Sequence, residues 1–262
     1  MRSMKFRRFL VLFQLGIALS SGGALAAPAQ DIVSLDLCTD WMLLTYADPS
    51  QVRAYSPLLY RYRADWVPFG LPVHDGSLEG ILQLEPGLLI SGEYNAILLR
   101  KRLRQLGKAV EVLSLPTTLD GIRRYQADFL ALIGASAESG EIDWQQQHPA
   151  RHQTLLLLGA NGIGTGAGTI EDGLLRRAGW RNYIDATGYV SLQMERIVAD
   201  PPDAIYSSAP LSNSLANLFL RHPAIRKLVT TRVAPDREHW RWQCPGPWSL
   251  ELIGELSSWN DT

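Results

Sequence analysis

Between residues 31 and 115 apolar residues gather in short runs, and between the runs they recur at helical spacing. The runs DIVSLDL (31–37), VRAYS (52–56), GLLIS (87–91) and AVEVLSL (109–115) predict strands. WMLLTYA (41–47), SLEGILQL (77–84) and AILLRKRLRQLG (96–107) predict helices. Strands alternating with helices imply a parallel sheet covered on its faces. Thr117 then opens a capped helix, with Asp120 three places on, an apolar stripe at Ile122, Tyr125, Phe129 and Ile133, and Gly134 as its stop.

A second helical piece, SAESGEIDWQQQ (136–147), leads into the polar stretch HPARHQ, where the chain is expected to cross between halves. The pattern then restarts. TLLLLGA (154–160) predicts a strand, followed by a helix near 169–178, a helix carrying Glu195, and the strand DAIYSS (203–208). NLFLRHPAIRKL (217–228) is the next helix, RVAP (232–235) the last strand, REHWRWQCPGPW (237–248) an aromatic loop, and a final helix begins at Ser249. One stretch repeats outright: LEGILQLEPGLLI (78–90) and MERIVADPPDAIY (194–206) align without a gap, pairing Glu79 with Glu195 and Pro86 with Pro202 across 116 residues. The expected fold is α/β: two Rossmann-like lobes with parallel sheets, joined by a helical linker, with a ligand cleft between them. The first lobe takes 27–118, the linker 119–150 and the second lobe 151–262.

The first 26 residues stand outside this scheme. Arg2, Lys5, Arg7 and Arg8 precede the 11-residue apolar run FLVLFQLGIAL, and Ala24-Leu25-Ala26 has the small-residue form of a cleavage site. This is the pattern of a secretory signal peptide, and the apolar run is short of the ~20 residues that span a bilayer. No Cys at the cleavage site offers a lipid attachment point, so a free periplasmic protein is expected. Without residues 1–26 the chain carries 21 Lys and Arg against 26 Asp and Glu, which argues against nucleic acid as a partner. Its two cysteines, Cys38 and Cys244, lie too far apart for a zinc framework. An oxidising compartment leaves them two outcomes, a disulfide or a pair of thiols facing the ligand.

IVSLDLCTD, PVHDGSLEGILQLEPGLLI, LRQLGKAVEV, MERIVADPPDAIY and WQCPGPWSLELI together resemble the class III periplasmic substrate-binding proteins of ABC importers, the family that carries iron-siderophore complexes and cobalamin. The resemblance runs over nearly the whole mature chain. It implies a ligand held between two lobes connected by a rigid helix, and one surface Glu on each lobe docking onto arginines of a dimeric inner-membrane permease. Glu79 and Glu195 match those positions. Gly87 departs from the pattern where the family often has Asp, while Asp203 keeps it.

Ligands of open α/β sheets bind beyond the carboxyl ends of the strands. That rule collects Cys38, Trp41, Tyr55, Tyr60, Tyr62, Trp66, His74, Asp75 and Tyr94 from the first lobe, and Asn161, Ser207, Trp240, Arg241, Trp242 and Trp248 from the second. Aromatic faces interleaved with arginines suit a large, partly apolar chelate with anionic edges, such as a ferric siderophore, haem or a corrinoid. A lone His between a strand and a helix more often serves as a hydrogen-bonded loop residue than as a metal ligand. The glycines of GANGIGTGAGTIEDG (159–173) miss the dinucleotide fingerprint, since its third Gly falls on Glu171, and no Lys completes a phosphate loop. A turn bringing backbone close to the transported ligand is expected there instead. The function expected is capture of an iron complex and delivery to a permease, by a monomer with no resident cofactor or metal. A corrinoid ligand is the alternative. An exported enzyme using Asp36, His74 and Asp75 as acid and base comes further behind, since no GxSxG or HExxH motif supports it.

Overall fold

Ile32 and Val33 are wholly buried, and so is every residue of 155–158. Strands buried on both faces read as unbroken apolar runs, the mark of a sheet with helices on each side. The computed structural model describes residues 30–136, 145–208, 218, 222–226, 228, 232–233 and 240–258. The signal-peptide segment 1–26, residues 137–144 of the second linker piece, and residues 217, 219–221 and 227 of the predicted helix at 217–228 lie outside them.

The first half comprises β1 (Ile32–Ser34), α1 (Leu37–Tyr46), β2 (Val52–Ala54), α2 (Leu58–Arg61), α3 (Leu78–Gln83), β3 (Leu88–Gly92), α4 (Ile97–Gln105) and β4 (Val110–Leu113). Its strands form a parallel sheet in the order β2-β1-β3-β4. After it comes α5 (Leu119–Ile133). The second half comprises β5 (Thr154–Leu158), β6 (Ile163–Thr165), α6 (Ile170–Arg177), β7 (Arg181–Asn182), β8 (Tyr189–Ser191), α7 (Met194–Ala199), β9 (Ala204–Ser207), α8 (Pro223–Arg226), β10 (Arg232–Val233), α9 (Trp240–Gln243) and α10 (Glu251–Ser258).

The repeat read in the sequence is a repeat of structure. Helices α3 and α7 are six residues each, with an exposed Glu second and a buried Ile fourth, Ile81 and Ile197. Each leads through a buried proline, Pro86 or Pro202, into a central strand. The register repeats as well: Ile32 pairs with Leu88 as Leu155 pairs with Ala204. Strands β2 and β7 flank β1 and β5 in parallel, and β4 and β10 flank β3 and β9. The Gly87 departure has a steric cause, since a Cβ there would stand 2.5 Å from the carbonyl oxygen of Gln30. Its counterpart Asp203 has room, and its carboxylate accepts from the backbone N and the hydroxyl of Thr154 at 2.7 and 2.9 Å.

The second sheet is mixed, where parallel strands alone were expected. Strand β6 runs antiparallel to β5, and β8 antiparallel to β6. Only four residues separate β5 from β6, and a parallel connection needs a dozen or more. Left-handed backbone at Asn161 (φ 59°) and Gly162 (φ 67°) turns the chain back on itself. The glycine-rich segment thus turns β5 back into antiparallel β6, and beyond β6 Gly166 N and Ala167 N donate to the carbonyls of Gly188 and Ala186.

Other boundaries shift for local reasons. Asp36 caps α1 through the backbone N of Cys38 and Thr39, so Leu37 is helical and β1 is three residues long. Thr118, one place later than expected, caps α5 by accepting from Gly121 N. Gly134 ends α5 in the left-handed region. Residues 145–150 contain no helix, so within the described residues the helical part of the linker is α5 alone. The aromatic loop is a turn of helix, α9, followed by a 3-10 turn over Pro247–Leu250. Helix α5 serves both halves: Leu119 and Ile122 pack with Leu155 and Leu174, while Tyr125, Phe129 and Ile133 pack with Ile32, Trp41 and Ile90.

Candidate ligand cleft and docking face

At the carboxyl end of β1 the polar side chains are spent on the fold. Asp36 accepts from Cys38 N at 3.0 Å, Thr39 N at 3.2 Å and Gly92 N at 2.6 Å, tying β1 to β3. His74 uses both ring nitrogens. Its Nε2 lies 2.8 Å from the Ser34 carbonyl, which can only accept, so Nδ1 is the acceptor for Gly76 N at 2.9 Å. Burial holds the ring below its ordinary pKa, and the neutral tautomer offers a ligand no free polar atom. Asp75 takes the backbone N and hydroxyl of Ser77 at 2.9 and 2.7 Å, which lowers its carboxyl pKa and shapes the turn into α3. The expectation of His74 and Asp75 as ligand contacts meets side chains already committed, and so does the acid-base reading of Asp36, His74 and Asp75. Asp40 is fully buried against the backbone N and hydroxyl of Ser56, and burial pushes its carboxyl up to about 7.

Beyond β2 the chain builds an aromatic surface. Tyr55 is in the core, 4% exposed, with its hydroxyl pushed up to about 12 by burial. Tyr60 is fixed by the Leu71 N–H, which donates to its hydroxyl at 2.7 Å, and its ring stacks on Phe69 at 6.3 Å. The Arg63 guanidinium lies 3.8 Å from the centroid of Phe69 while its Nε donates to the Val67 carbonyl, and Arg61 lies over Tyr62. Trp66 is tilted against buried Trp41 at 6.2 Å. Tyr62, Trp66 and Phe69 present 47, 39 and 78% of their surface to solvent. Tyr94, at the end of β3, is also exposed, and its hydrogen bond holds the Glu93 carboxyl below its ordinary value. Beneath that loop, buried Arg100 donates to the carbonyls of Gly92 and Glu93 at 3.0 and 2.7 Å. Sequence reasoning passed over Phe69 and Arg100. Phe69 is signalled only by Arg63 six places earlier, and in sequence Arg100 does not differ from any other helix arginine.

In the second half Asn161 is exposed on its turn and Ser207 is buried at the end of β9. Tyr189, exposed on β8, reaches Glu171 at 3.4 Å, and burial raises the Glu171 carboxyl above its ordinary value. Arg241 is paired with Glu251 at 2.9 Å and Glu255 at 3.3 Å, and Trp242 packs on Tyr206 at 5.8 Å, so both serve the packing around α10. The Trp240 side chain lies outside the described residues. Trp248 is 7% exposed and joins the first-half core, its Nε1 donating to the Cys244 carbonyl at 2.7 Å. Cys38 and Cys244 form a disulfide, with Cα atoms 5.3 Å apart. At 8 and 1% exposure the pair lies in the same core rather than at the mouth of a cleft, which removes Cys38 from the ligand contacts. Glu79 and Glu195 are exposed at equivalent places. Among the described residues no cluster of His, Cys, Asp or Glu could hold a metal ion, and no helix is long and apolar enough to cross a membrane.

No family model matches the chain, and no curated protein matches its sequence. Solved structures do match its fold. The periplasmic heme-binding protein HutB of Vibrio cholerae shares 19% identity over 89% of this chain and 99% of its own, with a TM-score of 0.69. A periplasmic heme-binding protein of Pseudomonas aeruginosa shares 21% identity over 88 and 91%, with a TM-score of 0.58. The periplasmic vitamin B12-binding protein BtuF of Vibrio cholerae shares 16% over 89 and 97%, with a TM-score of 0.57. This chain has the fold of the class III periplasmic binding proteins that its sequence resembles.

Proposed function

We propose that this chain is a periplasmic substrate-binding protein that captures an iron complex, of siderophore or haem type, and delivers it to the permease dimer of an ABC importer. It acts as a monomer after loss of residues 1–26, and binds without turnover. One observation carries the reading: the exposed surface of Tyr62, Trp66 and Phe69, with Arg61 and Arg63 stacked into it, beyond the carboxyl end of β2. Flat aromatic faces favour a broad apolar body, and guanidinium groups favour its carboxylates or other anionic edges. The buried cation of Arg100 adds positive field behind the β3 loop. The heme-binding proteins among the structural neighbours support the same class of ligand. A corrinoid is the second reading, favoured by the likeness to the vitamin B12-binding protein.

Titration of the purified mature protein with haemin, ferric siderophores and cobalamin, followed by Trp fluorescence, tests the proposal. Saturable one-to-one quenching by an iron chelate is expected. Binding of cobalamin alone moves the assignment to the second reading. Binding of a free amino acid or sugar with no response to any chelate overturns both.

A further inference from the structure

Ten large apolar side chains are exposed among the described residues, and six of them lie in the connections that leave β2 and β3: Tyr62, Trp66 and Phe69 after β2, Tyr94, Ile97 and Leu98 after β3. Strands β2, β1 and β3 are parallel neighbours in that order, so both connections depart from the same edge of the sheet with one strand between them. Two strand spacings set their roots about 9–10 Å apart. The exit of β1 between them is closed over by α1 and its buried cap Asp36. Two apolar walls therefore flank one closed floor.

The wall after β3 is aliphatic, and the fold does not need it for packing. Helix α4 buries Arg100 and Leu103, while Ile97 and Leu98 in its first turn are 58 and 83% exposed. The exposed residues that follow them are charged, Lys101, Arg102 and Arg104. Clustered apolar exposure of this kind marks a binding surface. Ala96, just before the helix, has left-handed backbone at φ 48°. A residue with a Cβ keeps that conformation only where its surroundings impose it, and such residues gather at ligand clamps. Here Arg100 holds the Gly92 and Glu93 carbonyls, and the Ser91 hydroxyl donates to the Asn95 carbonyl at 3.4 Å.

We propose that Tyr94, Ile97 and Leu98 are a second wall of the ligand site and take an uncharged, apolar edge of the cargo, a reading that rests on the chelate capture proposed above and narrows it to a flat iron macrocycle of haem type. Such a macrocycle has a broad apolar face for the aromatic wall and a rim of methyl and vinyl carbons for Ile97 and Leu98. Its carboxylates, on the opposite rim, suit the guanidinium groups of Arg61 and Arg63. A siderophore instead encloses iron in oxygen donors and needs hydrogen-bonding walls. The polar groups of Tyr60, His74 and Asp75 are already bonded within the fold. Walls on both sides of one floor favour a single ligand touching both over a permease segment covering one.

The test is titration of the whole mature protein with haemin and with ferrioxamine, a ferric trihydroxamate, followed by absorbance and Trp fluorescence. Haemin is expected to bind one to one and more tightly than ferrioxamine. Ile97→Asn and Leu98→Asn should each weaken haemin binding about tenfold, the scale of re-exposing half an aliphatic side chain. Leu106→Asn, exposed at the far end of α4, should leave it unchanged. All three replace exposed side chains, so their urea midpoints should match the wild type. Unchanged haemin affinity in Ile97→Asn/Leu98→Asn overturns the second wall, and loss of uptake by that same variant would then give the patch to the permease. Tighter binding of ferrioxamine overturns the haem-type assignment and leaves chelate capture standing. Failure to bind any chelate, cobalamin included, is failure of chelate capture itself.

Discussion

Trp248 stands edge-on to Trp41, their ring centroids 5.9 Å apart and their planes at 83°. One ring comes from the turn before α10 and the other from α1, so the late segment of the chain completes the core of the first half. Both rings are buried, whereas Trp66, in contact with Trp41, is part-exposed. The expected reporter of ligand is therefore Trp66. Trp66→Phe should remove most of the ligand-induced quenching, and Trp66→Ala should also weaken binding by about 0.5–1.5 kcal/mol beyond lost area. Quenching that survives Trp66→Phe unchanged would place the ligand elsewhere.

Four residues before Trp248, the Cys38–Cys244 bond closes a span of 206 residues. The chain-entropy model gives such a closure roughly 5 kcal/mol, and removal of a native disulfide costs about 2–5 kcal/mol. Cys38→Ala/Cys244→Ala should show that loss in urea unfolding, and the unreduced wild type should yield no free thiol when unfolded. An unchanged urea midpoint, or two free thiols per chain, would refute the bond.

Replacing Glu79 and Glu195 together by Ala should abolish uptake while leaving ligand affinity within about twofold, because both are exposed on the outer helices α3 and α7. Full transport by the double variant would end the docking reading.

Asp40 predicts a pH dependence. Its carboxyl pKa rises from 3.8 to about 7 on folding, so the folded state holds a proton that the unfolded state releases. Its contribution to stability is present below pH 4 and is lost as pH climbs toward 7. Asp40→Asn, which keeps an acceptor for Ser56 N, should flatten that decline, worth roughly 2–4 kcal/mol at most. Parallel pH-stability curves for the two proteins would show that Asp40 does not titrate this way.

The two starts of the central strands should both lose stability on substitution, for different reasons. Gly87→Asp should destabilise by about 1–3 kcal/mol against the Gln30 carbonyl. Asp203→Ala should lose roughly 0.5–1.5 kcal/mol for each hydrogen bond given up at Thr154. Thermal unfolding decides both, and a neutral Gly87→Asp would contradict the steric account.

The repeat around Ile81 and Ile197 was legible because burial imposes an apolar residue at the same step of both helices and a proline at the same step after them. The antiparallel β6–β8 pair was not legible. Its strands are three residues each, with Gly164 at the centre of β6, so periodicity has little to act on, and the turn at Asn161 becomes visible only as positive φ. The chemical types near the cleft were legible, but their commitments were not. The sequence shows that His74, Asp75 and Arg241 can bond, while only the fold reveals that Ser34, Gly76, Ser77, Glu251 and Glu255 already take those bonds. Trp248 was assigned to the ligand for the same reason: an aromatic in a loop reads as exposed until the core that receives it is known.

Helix α5 makes the two halves inseparable in unfolding. Its first turn completes one apolar core with Leu119 and Ile122, and its later turns complete the other with Tyr125, Phe129 and Ile133. Melting either sheet strips partners from a helix the other still requires, so thermal denaturation should be a single cooperative transition in which calorimetric and van't Hoff enthalpies agree. The same sharing forbids a clean cut. A fragment ending before α5 leaves Ile32, Trp41 and Ile90 facing water, and one beginning after it does the same to Leu155 and Leu174.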